Sequence, residues 1–554
     1  MKKHNIGYVL VPLFLCLGII GGIFIGKYSS QHELSPEEIK FRSVLGLIRD
    51  QYVDEIDIDS LLDKSIPDLL ASLDPHSAYI PAEDLTITND DLEGSFGGIG
   101  VSFQILNDTV NVIEVIAGGP AEKVGLLPGD KILEANGKKL SGANVSTEDV
   151  FKILRGAEGT VVKTVVKRRT SRKPLTYEIV RGEIPSNSVD AKYLISGDIG
   201  YIKVSKFART TYPEFFTALT ELKNQGAKKY IVDLRGNSGG FMDQAIYMVN
   251  EFLPEGRKIV YTKGRSVDNE TMAISDGTGQ FQNVPLTVIT NEFSASASEI
   301  FAGAIQDNDR GLVIGRRSFG KGLVQNQISL PDSSAVRLTV ARYYTPSGRS
   351  IQKEYKRGKD GKYEMDILDR YSHGEFYTSD SIKLDKSKKF RTFNGRTVYG
   401  GGGIMPDIFV PEDTTGYTSY YLEATNRGLI NEFAQQMADS YRSMMRGQKT
   451  MEQLERVLPR DNTLLQAFVG YAANHGLPAR WYYINQSRSL LLNQIKAVIA
   501  RDLIGYQGMI RILNTSDKTV LKAIEKLQRG ESPVNIPKAS FLKKCKRQGG
   551  GFSR

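Results

Sequence analysis

Cysteine is nearly absent. The 554 residues hold two, Cys16 in an apolar N-terminal run and Cys545 in a basic tail. They are poorly placed to pair, so the body has no disulfide framework and must be held by packing. Histidine is scarce as well: His4, His32, His76, His373 and His475 are the full set. None falls in the strand-end motifs described below, which leaves a Ser-His-Asp arrangement poorly supported. No Cys/His cluster suggests a metal site, and neither a metal nor a cofactor is expected. No internal repeat is visible, which argues against solenoids and propellers. Net charge is +9, but six of those charges (Lys538, Lys543, Lys544, Lys546, Arg547, Arg554) crowd the last 17 residues, leaving the rest at +3. A basic nucleic-acid face is not indicated; such a tail reads as a solvated end or a membrane contact.

What is present begins with a signal for location. Lys2 and Lys3 precede an uncharged run, residues 6–26, closed by Lys27. About 20 apolar residues can cross a bilayer as a helix. No clear small-x-small cleavage site follows, so an uncleaved signal anchor is preferred to a removed signal peptide. With the positive end in the cytoplasm, residues 28–554 lie beyond the inner membrane, in a bacterium the periplasm or cell exterior.

Beyond the anchor (1–30), residues 31–92 read as short helices, with Ser35-Pro36 as a helix start. Residues 93–182 are rich in glycine and alternating strands. Residues 183–412 alternate apolar strands (200–204, 230–234, 286–290, 312–315) with helices (213–224, 241–252, 296–306), the pattern of a largely parallel sheet covered by helices. Within them 352–399 is polar and resembles an insertion. Residues 413–537 are helical, and 538–554 form the basic tail.

Three segments carry chemistry. The 286–290 strand runs into Asn291-Glu292-Phe293-Ser294-Ala295-Ser296-Ala297-Ser298-Glu299. This sets a small hydroxyl at a helix N-terminus, where free N–H groups favour developing negative charge; Ser296-x-x-Glu299 equally fits a capping box. Next, Gly315-Arg316-Arg317-Ser318-Phe319-Gly320-Lys321-Gly322 nearly matches a phosphate-binding loop. Gly322 stands where a magnesium-binding hydroxyl is needed, and a strand follows instead of a helix. Lys321 is then either an exposed turn lysine or a buried amine whose pKa is lowered enough to act as a base. Third, Asp233-Leu234-Arg235-Gly236-Asn237-Ser238-Gly239-Gly240 is either a tight turn or a ring of oxyanion donors.

Taken together, these segments resemble the C-terminal processing peptidases (tail-specific proteases), serine endopeptidases with a Ser-Lys dyad and an embedded PDZ domain. The set is extended by Leu73-Asp74-Pro75-His76-Ser77-x-Tyr79, Tyr344-Thr345-Pro346-Ser347-Gly348-Arg349-x-Ile351 and Gly403-Ile404-x-Pro406-Asp407. The resemblance covers roughly residues 36–412. It implies Ser296 as nucleophile, Lys321 as general base, Gln325 as the residue orienting that lysine, and oxyanion donors from the N–H of Ala297 and of Gly240 or Gly239. Ser238 stands where the family often has proline.

Residues 97–101, the Gly118-Gly119-Pro120 turn and the Asn136-Gly137 hairpin signal look like the PDZ module. Such domains add a peptide as an extra strand and hold its carboxylate on loop N–H groups. The candidate loop is Gly98, Ile99, Gly100 and Val101, with Val150 and Leu154 of a helix completing an apolar pocket or simply packing the core. The implied architecture is α/β and multidomain: a mixed or parallel protease core, an inserted β-rich PDZ domain, helical N- and C-terminal regions and one transmembrane helix. Expected partners are protein substrates with accessible C-termini, the membrane, and a second copy or an adaptor on the C-terminal helices, with no nucleic acid. The competing reading is a non-catalytic PDZ adaptor on a protease scaffold.

Overall fold

The computed structural model describes residues 35–533 apart from 107, 143–144, 359–360, 384 and 446–449. The proposed anchor, Cys16, Cys545, His4, His32 and the basic tail lie outside the described residues. Among those that are described, no helix is long and apolar enough to cross a membrane. The chain divides into two units, broken after Ser72.

In the first unit, helices span Pro36–Gln51 and Ile58–Ala71. The first begins as its sequence dictates: Ser35 accepts the Glu38 N–H, the Glu38 carboxylate accepts the Ser35 N–H, and Pro36 fills the first turn.

The second unit is built on a six-stranded sheet. Its order is Val189–Ser196, Ile199–Val204, Lys229–Asp233, Leu286–Thr290, Leu312–Gly315, Ile408–Phe409. The first strand is antiparallel and the others run parallel. The central strands are buried on both faces, which is why they read as unbroken apolar runs. On one face pack the helices Thr211–Asn224, Met242–Asn250 and Ala297–Asp307, with Phe215, Phe252 and Phe301 at their contact. On the other face lies the last helix, Lys518–Gln528, whose Val520, Ala523 and Leu527 meet Ile231, Ile289 and Ile314. The C-terminal helical region is therefore more than an appended surface: its end forms the third layer of the core, while Tyr420 to Ile512 bury an apolar centre of their own.

A second, antiparallel sheet was not foreseen. The long Ala335–Tyr344 strand pairs with Ala78–Ile80, Lys258–Gly264 and Leu323–Ser329. Residues 352–399, read as an insertion, pack back onto the core: Arg370 donates to the carbonyls of Ser318 and Arg317, and Arg317 pairs with Glu375. Arg396 reaches Asp309 and Asp407.

Residues 95–185 form the β-rich module. Its main sheet runs Val101–Leu106, Thr109–Val115, Lys131–Ala135, Val161–Lys167, Leu175–Val180, so Val101–Leu106 is an edge strand. The helix Thr147–Leu154 covers it from a Ser146–Asp149 capping box. Val150 and Leu154 are 0% and 3% exposed and share a core cluster with Ile99. That corrects their assignment to an open peptide pocket: in this conformation they are core residues. Gly98 and Gly100 flank Ile99 at the start of the edge strand, where Val101 is half-buried.

Candidate active site

Four strand ends deliver the site. After Lys229–Asp233 the chain turns through Asp233 to Gly240. Asp233 is buried; burial pushes its carboxyl up, but Arg235 and Lys203 beside it hold it far below the usual carboxylate range. Arg235 grips it at 2.6 Å and reaches Asp517 with its other arm, at 2.6 Å, which ties this turn to the C-terminal helix. Asn237 is fully buried. Its amide donates to the Val204 carbonyl, its side-chain oxygen accepts the Gly239 N–H at 2.9 Å, and its carbonyl accepts Ala295 N–H and Ser298 Oγ. Ser294 Oγ donates to the Leu234 carbonyl. Ser294 and Ser298 are thus rivets between the turn and the helix start.

The Leu286–Thr290 strand reaches Ser296 through this riveted loop. Ser296 has φ +55° and ψ −114°, a conformation that a serine adopts only under constraint; it costs on the order of 1–3 kcal/mol and presents the side chain at a sharp strand-to-helix turn. The neighbouring turn leaves no slack. A Cβ on Gly239 (φ +105°) would lie 2.7 Å from the Ser296 Cβ, and one on Gly240 (φ +139°) would lie 2.2 Å from the Phe207 carbonyl oxygen. Both positions require glycine.

The oxyanion assignment needs one correction. Gly239 spends its N–H on Asn237, so it serves as a spacer. Among the described residues the N–H groups of Ala297 and of the exposed Gly240 have no protein acceptor.

Lys321 arrives from the 316–322 loop. Its Nζ donates to Gln325 Oε1 at 2.9 Å, and Gln325 Nε2 donates to the His76 carbonyl. Among the described residues no carboxylate forms an ion pair with Lys321. Burial pulls its pKa below that of an ordinary lysine and the Arg337 charge adds to this, against opposing pulls from Glu299 and Asp74. The Leu73–Ser77 segment supports the group: Asp74 accepts the N–H of His76 and Ser77 and the hydroxyls of Ser77 and Thr339. His76 is a packing residue here. Its Nε2 lies 2.6 Å from the Tyr363 hydroxyl, and burial, followed by the Lys321 charge, lowers its pKa to about 4.

Two residues outside the expected set connect Ser296 to Lys321. Glu299, entirely buried, accepts Ser296 N–H at 2.9 Å and Lys321 N–H at 2.8 Å on one oxygen, and Ser318 Oγ and Gly320 N–H on the other. Burial raises its pKa to about 7 against the pull of these four donors. The Tyr343 hydroxyl lies against the carbonyls of both Ser296 and Lys321. The spacing Ser296-x-x-Glu299 hinted at the first; nothing in the sequence marked Tyr343, which comes from the unforeseen antiparallel sheet. The site therefore combines a strained hydroxyl, a buried amine with an amide partner and two unpaired N–H groups, the parts acyl transfer uses.

Comparison with known proteins agrees with this chemistry. Residues 198–360 match peptidase family S41, 112–168 a PDZ domain, and 420–505 a family of unknown function. The carboxy-terminal-processing protease of Bartonella bacilliformis is 40% identical over 318 residues, 56% of this chain and 72% of that one. The carboxy-terminal processing protease CtpA of Bacillus subtilis is 35% identical over 308 residues, 55% of this chain and 65% of that one. A probable CtpA-like serine protease of Staphylococcus aureus is 33% identical over 351 residues, 62% and 69% of the two chains. Set beside the site, these matches show that the chain belongs to the carboxy-terminal processing proteases of peptidase family S41, serine-type peptidases carrying a PDZ domain.

Proposed function

We propose that the chain is an endopeptidase with a Ser296–Lys321 dyad, cutting extracytoplasmic proteins near their C-termini. Neutral Lys321 takes the Ser296 proton as Oγ attacks the scissile carbonyl. The oxyanion forms against the N–H groups of Ala297 and Gly240. The lysine then passes its proton to the leaving amine, and water, deprotonated by the same amine, releases the acyl group. Gln325 holds the Nζ in place. The observation that carries this reading is the largely buried Lys321 amine, with no ion-paired carboxylate among the described residues and oriented by a neutral amide, on a loop that Glu299 and Tyr343 join to the backbone of the strained serine.

The PDZ module supplies the second half: a substrate tail adds to the open Val101–Leu106 edge, with its carboxylate on the Gly98–Val101 turn. The N-terminal apolar run anchors the chain, leaving the catalytic part outside the cytoplasm. Ser296→Ala and Lys321→Ala should each lower cleavage of a C-terminal peptide by at least about 10³-fold while leaving the melting temperature near wild type or higher. Mass spectrometry of protein C-termini in wild-type and Ser296→Ala cells would then show which tails accumulate. Near-normal turnover by Lys321→Ala would end the dyad assignment. A peptide acid and its amide bound with equal affinity would end the carboxylate reading.

A further inference from the structure

Beside the Lys321 loop is a cavity of about 580 Å³ that the mechanism above does not use. Arg342, Lys356, Arg357 and Lys362 line it, with Lys353 in its wall and Glu354 as the one acidic lining residue among the described residues. Even that acid is occupied, since Lys388 holds Glu354 at 2.9 Å. Lys353 has its own partner in Asp366, at 3.1 Å. Among the described residues Arg342 and Arg357 form no ion pair, and both are exposed to the cavity's solvent. A cluster of cations this uneven, in a body that is otherwise close to balanced, raises the local concentration of anionic groups.

The cavity's wall is also the back of the catalytic loop. Gly322 N–H donates to Gln352 Oε1 at 2.8 Å, Lys353 N–H donates to the Gly320 carbonyl at 2.9 Å, and Arg342 stands opposite Leu323 in the sheet. The cavity therefore adjoins the backbone of the loop that carries Lys321. The volume suits two or three side chains, in the range of ordinary ligand clefts.

We propose that this cavity is a substrate subsite for acidic side chains, Asp or Glu a few residues from the scissile bond. It rests on the Ser296–Lys321 reading for what is cut, and adds which sequences are preferred. The test uses the full chain in detergent and three peptides with one cleavable core and acidic, neutral or basic flanks. At low ionic strength kcat/KM for the acidic peptide should exceed that of the neutral one by about tenfold, and the advantage should collapse in about 0.5 M salt. Arg342→Gln/Arg357→Gln should lose the advantage and cut the neutral peptide as wild type does, whereas Arg342→Lys/Arg357→Lys should keep it. Equal cleavage of acidic and neutral peptides by wild type, or an advantage that survives in the Gln pair, overturns the proposal while leaving proteolysis intact. Should no peptide be cut, the proteolytic reading fails on its own, and fluorescence polarisation of the labelled peptides on the Ser296→Ala chain decides the subsite. There, about tenfold tighter binding of the acidic peptide supports it. Binding of polyphosphate or of anionic lipid vesicles, with the acidic and neutral peptides bound alike, overturns it in favour of a non-protein anion.

Discussion

Two lysines lie on adjoining segments of this protein, and they differ in a way that sets the proposed base apart from a structural amine. Lys321 and Lys353 are both withdrawn from water, and burial pulls both below the ordinary lysine pKa. The direction of that shift does not tell them apart; what each ammonium faces does. Lys353 Nζ has a carboxylate, Asp366, at 3.1 Å and two aromatic faces, Phe319 at 4.0 Å and Tyr363 at 4.1 Å. All three favour the charged form. Lys321 Nζ has the oxygen of a neutral amide at 2.9 Å. That bond fixes its direction without supplying a compensating charge, so the proton is held less firmly. A base needs that arrangement, and a structural ion pair avoids it.

The comparison breaks most sharply under paired substitution. Lys321→Met should abolish turnover, by about 10³-fold or more, and raise the melting temperature at neutral pH by about 1–3 °C, because a desolvated amine is replaced by an apolar chain of similar length. The sign follows from linkage. The folded chain holds the Lys321 proton less tightly than the unfolded chain does, so the cost is complete below the lowered folded pKa and gone above the ordinary 10.5. The gain from Lys321→Met should accordingly shrink as pH rises toward 10. Lys353→Met strips Asp366 of its partner and two rings of their cation; it should lower the melting temperature yet keep kcat/KM within about tenfold of wild type. Peptide assays and thermal melts across pH read both variants. Matching losses of turnover would erase the distinction.

Glu299 sharpens the same contrast, because its carboxylate ties the Lys321 loop to Ser296, the proposed nucleophile. Four donors point at it; three are backbone N–H groups that cannot accept, so a protonated acid could donate only to Ser318 Oγ and would bind the other three less firmly. Its folded pKa, about 7, lies above the ordinary 4.5. Between those values the folded chain keeps a proton that the unfolded chain has released. The stability this contributes is fully present below 4.5 and is lost as pH rises through 7. Activity should move the other way, rising across pH 7 as the carboxylate ionises and the clamp tightens. Glu299→Gln should cost about 100-fold in kcat/KM, remove the inflection near pH 7 and flatten the fall in melting temperature between pH 4.5 and 7.

Much of this was legible in the chain itself, for identifiable reasons. The central strands announce themselves because burial on both faces demands unbroken apolar runs; Leu286–Thr290 and Leu312–Gly315 begin and end where the pattern says. Ser296 and Lys321 sit among glycine and small residues, where backbones approach closely, but local pattern fitted a helix cap and a turn lysine equally well; the family resemblance singled out these two and Gln325. Less visible were the contributions of distant segments. Lys518–Gln528 reads as an amphipathic helix in a helical region, and nothing local says that its partner is the far face of the sheet. Tyr343 lies in a half-buried strand whose sequence resembles any other. Val150 and Leu154 were ambiguous because an apolar pair one turn apart packs equally well into a core or beside a ligand; coordinates assign them to the core.

The smallest effect tests the part of the comparison that rests on orientation alone. Gln325 carries no charge, so removing it does not alter the electrostatic balance that separates Lys321 from Lys353; it removes only the bond that aims the amine and the link onward to the His76 carbonyl. Gln325→Leu leaves the Nζ among its rotamers, and a fraction of molecules with the amine astray lowers kcat more than KM. The expected loss is about 10- to 100-fold. Gln325→Glu should do something different: it supplies the missing counter-ion, making Lys321 resemble Lys353. The lysine pKa then rises, and the pH dependence of kcat should shift to the alkaline side while the protein becomes more stable below it. If Gln325→Glu left the pH profile of kcat where wild type has it, the absence of a paired charge would not be what makes Lys321 a base.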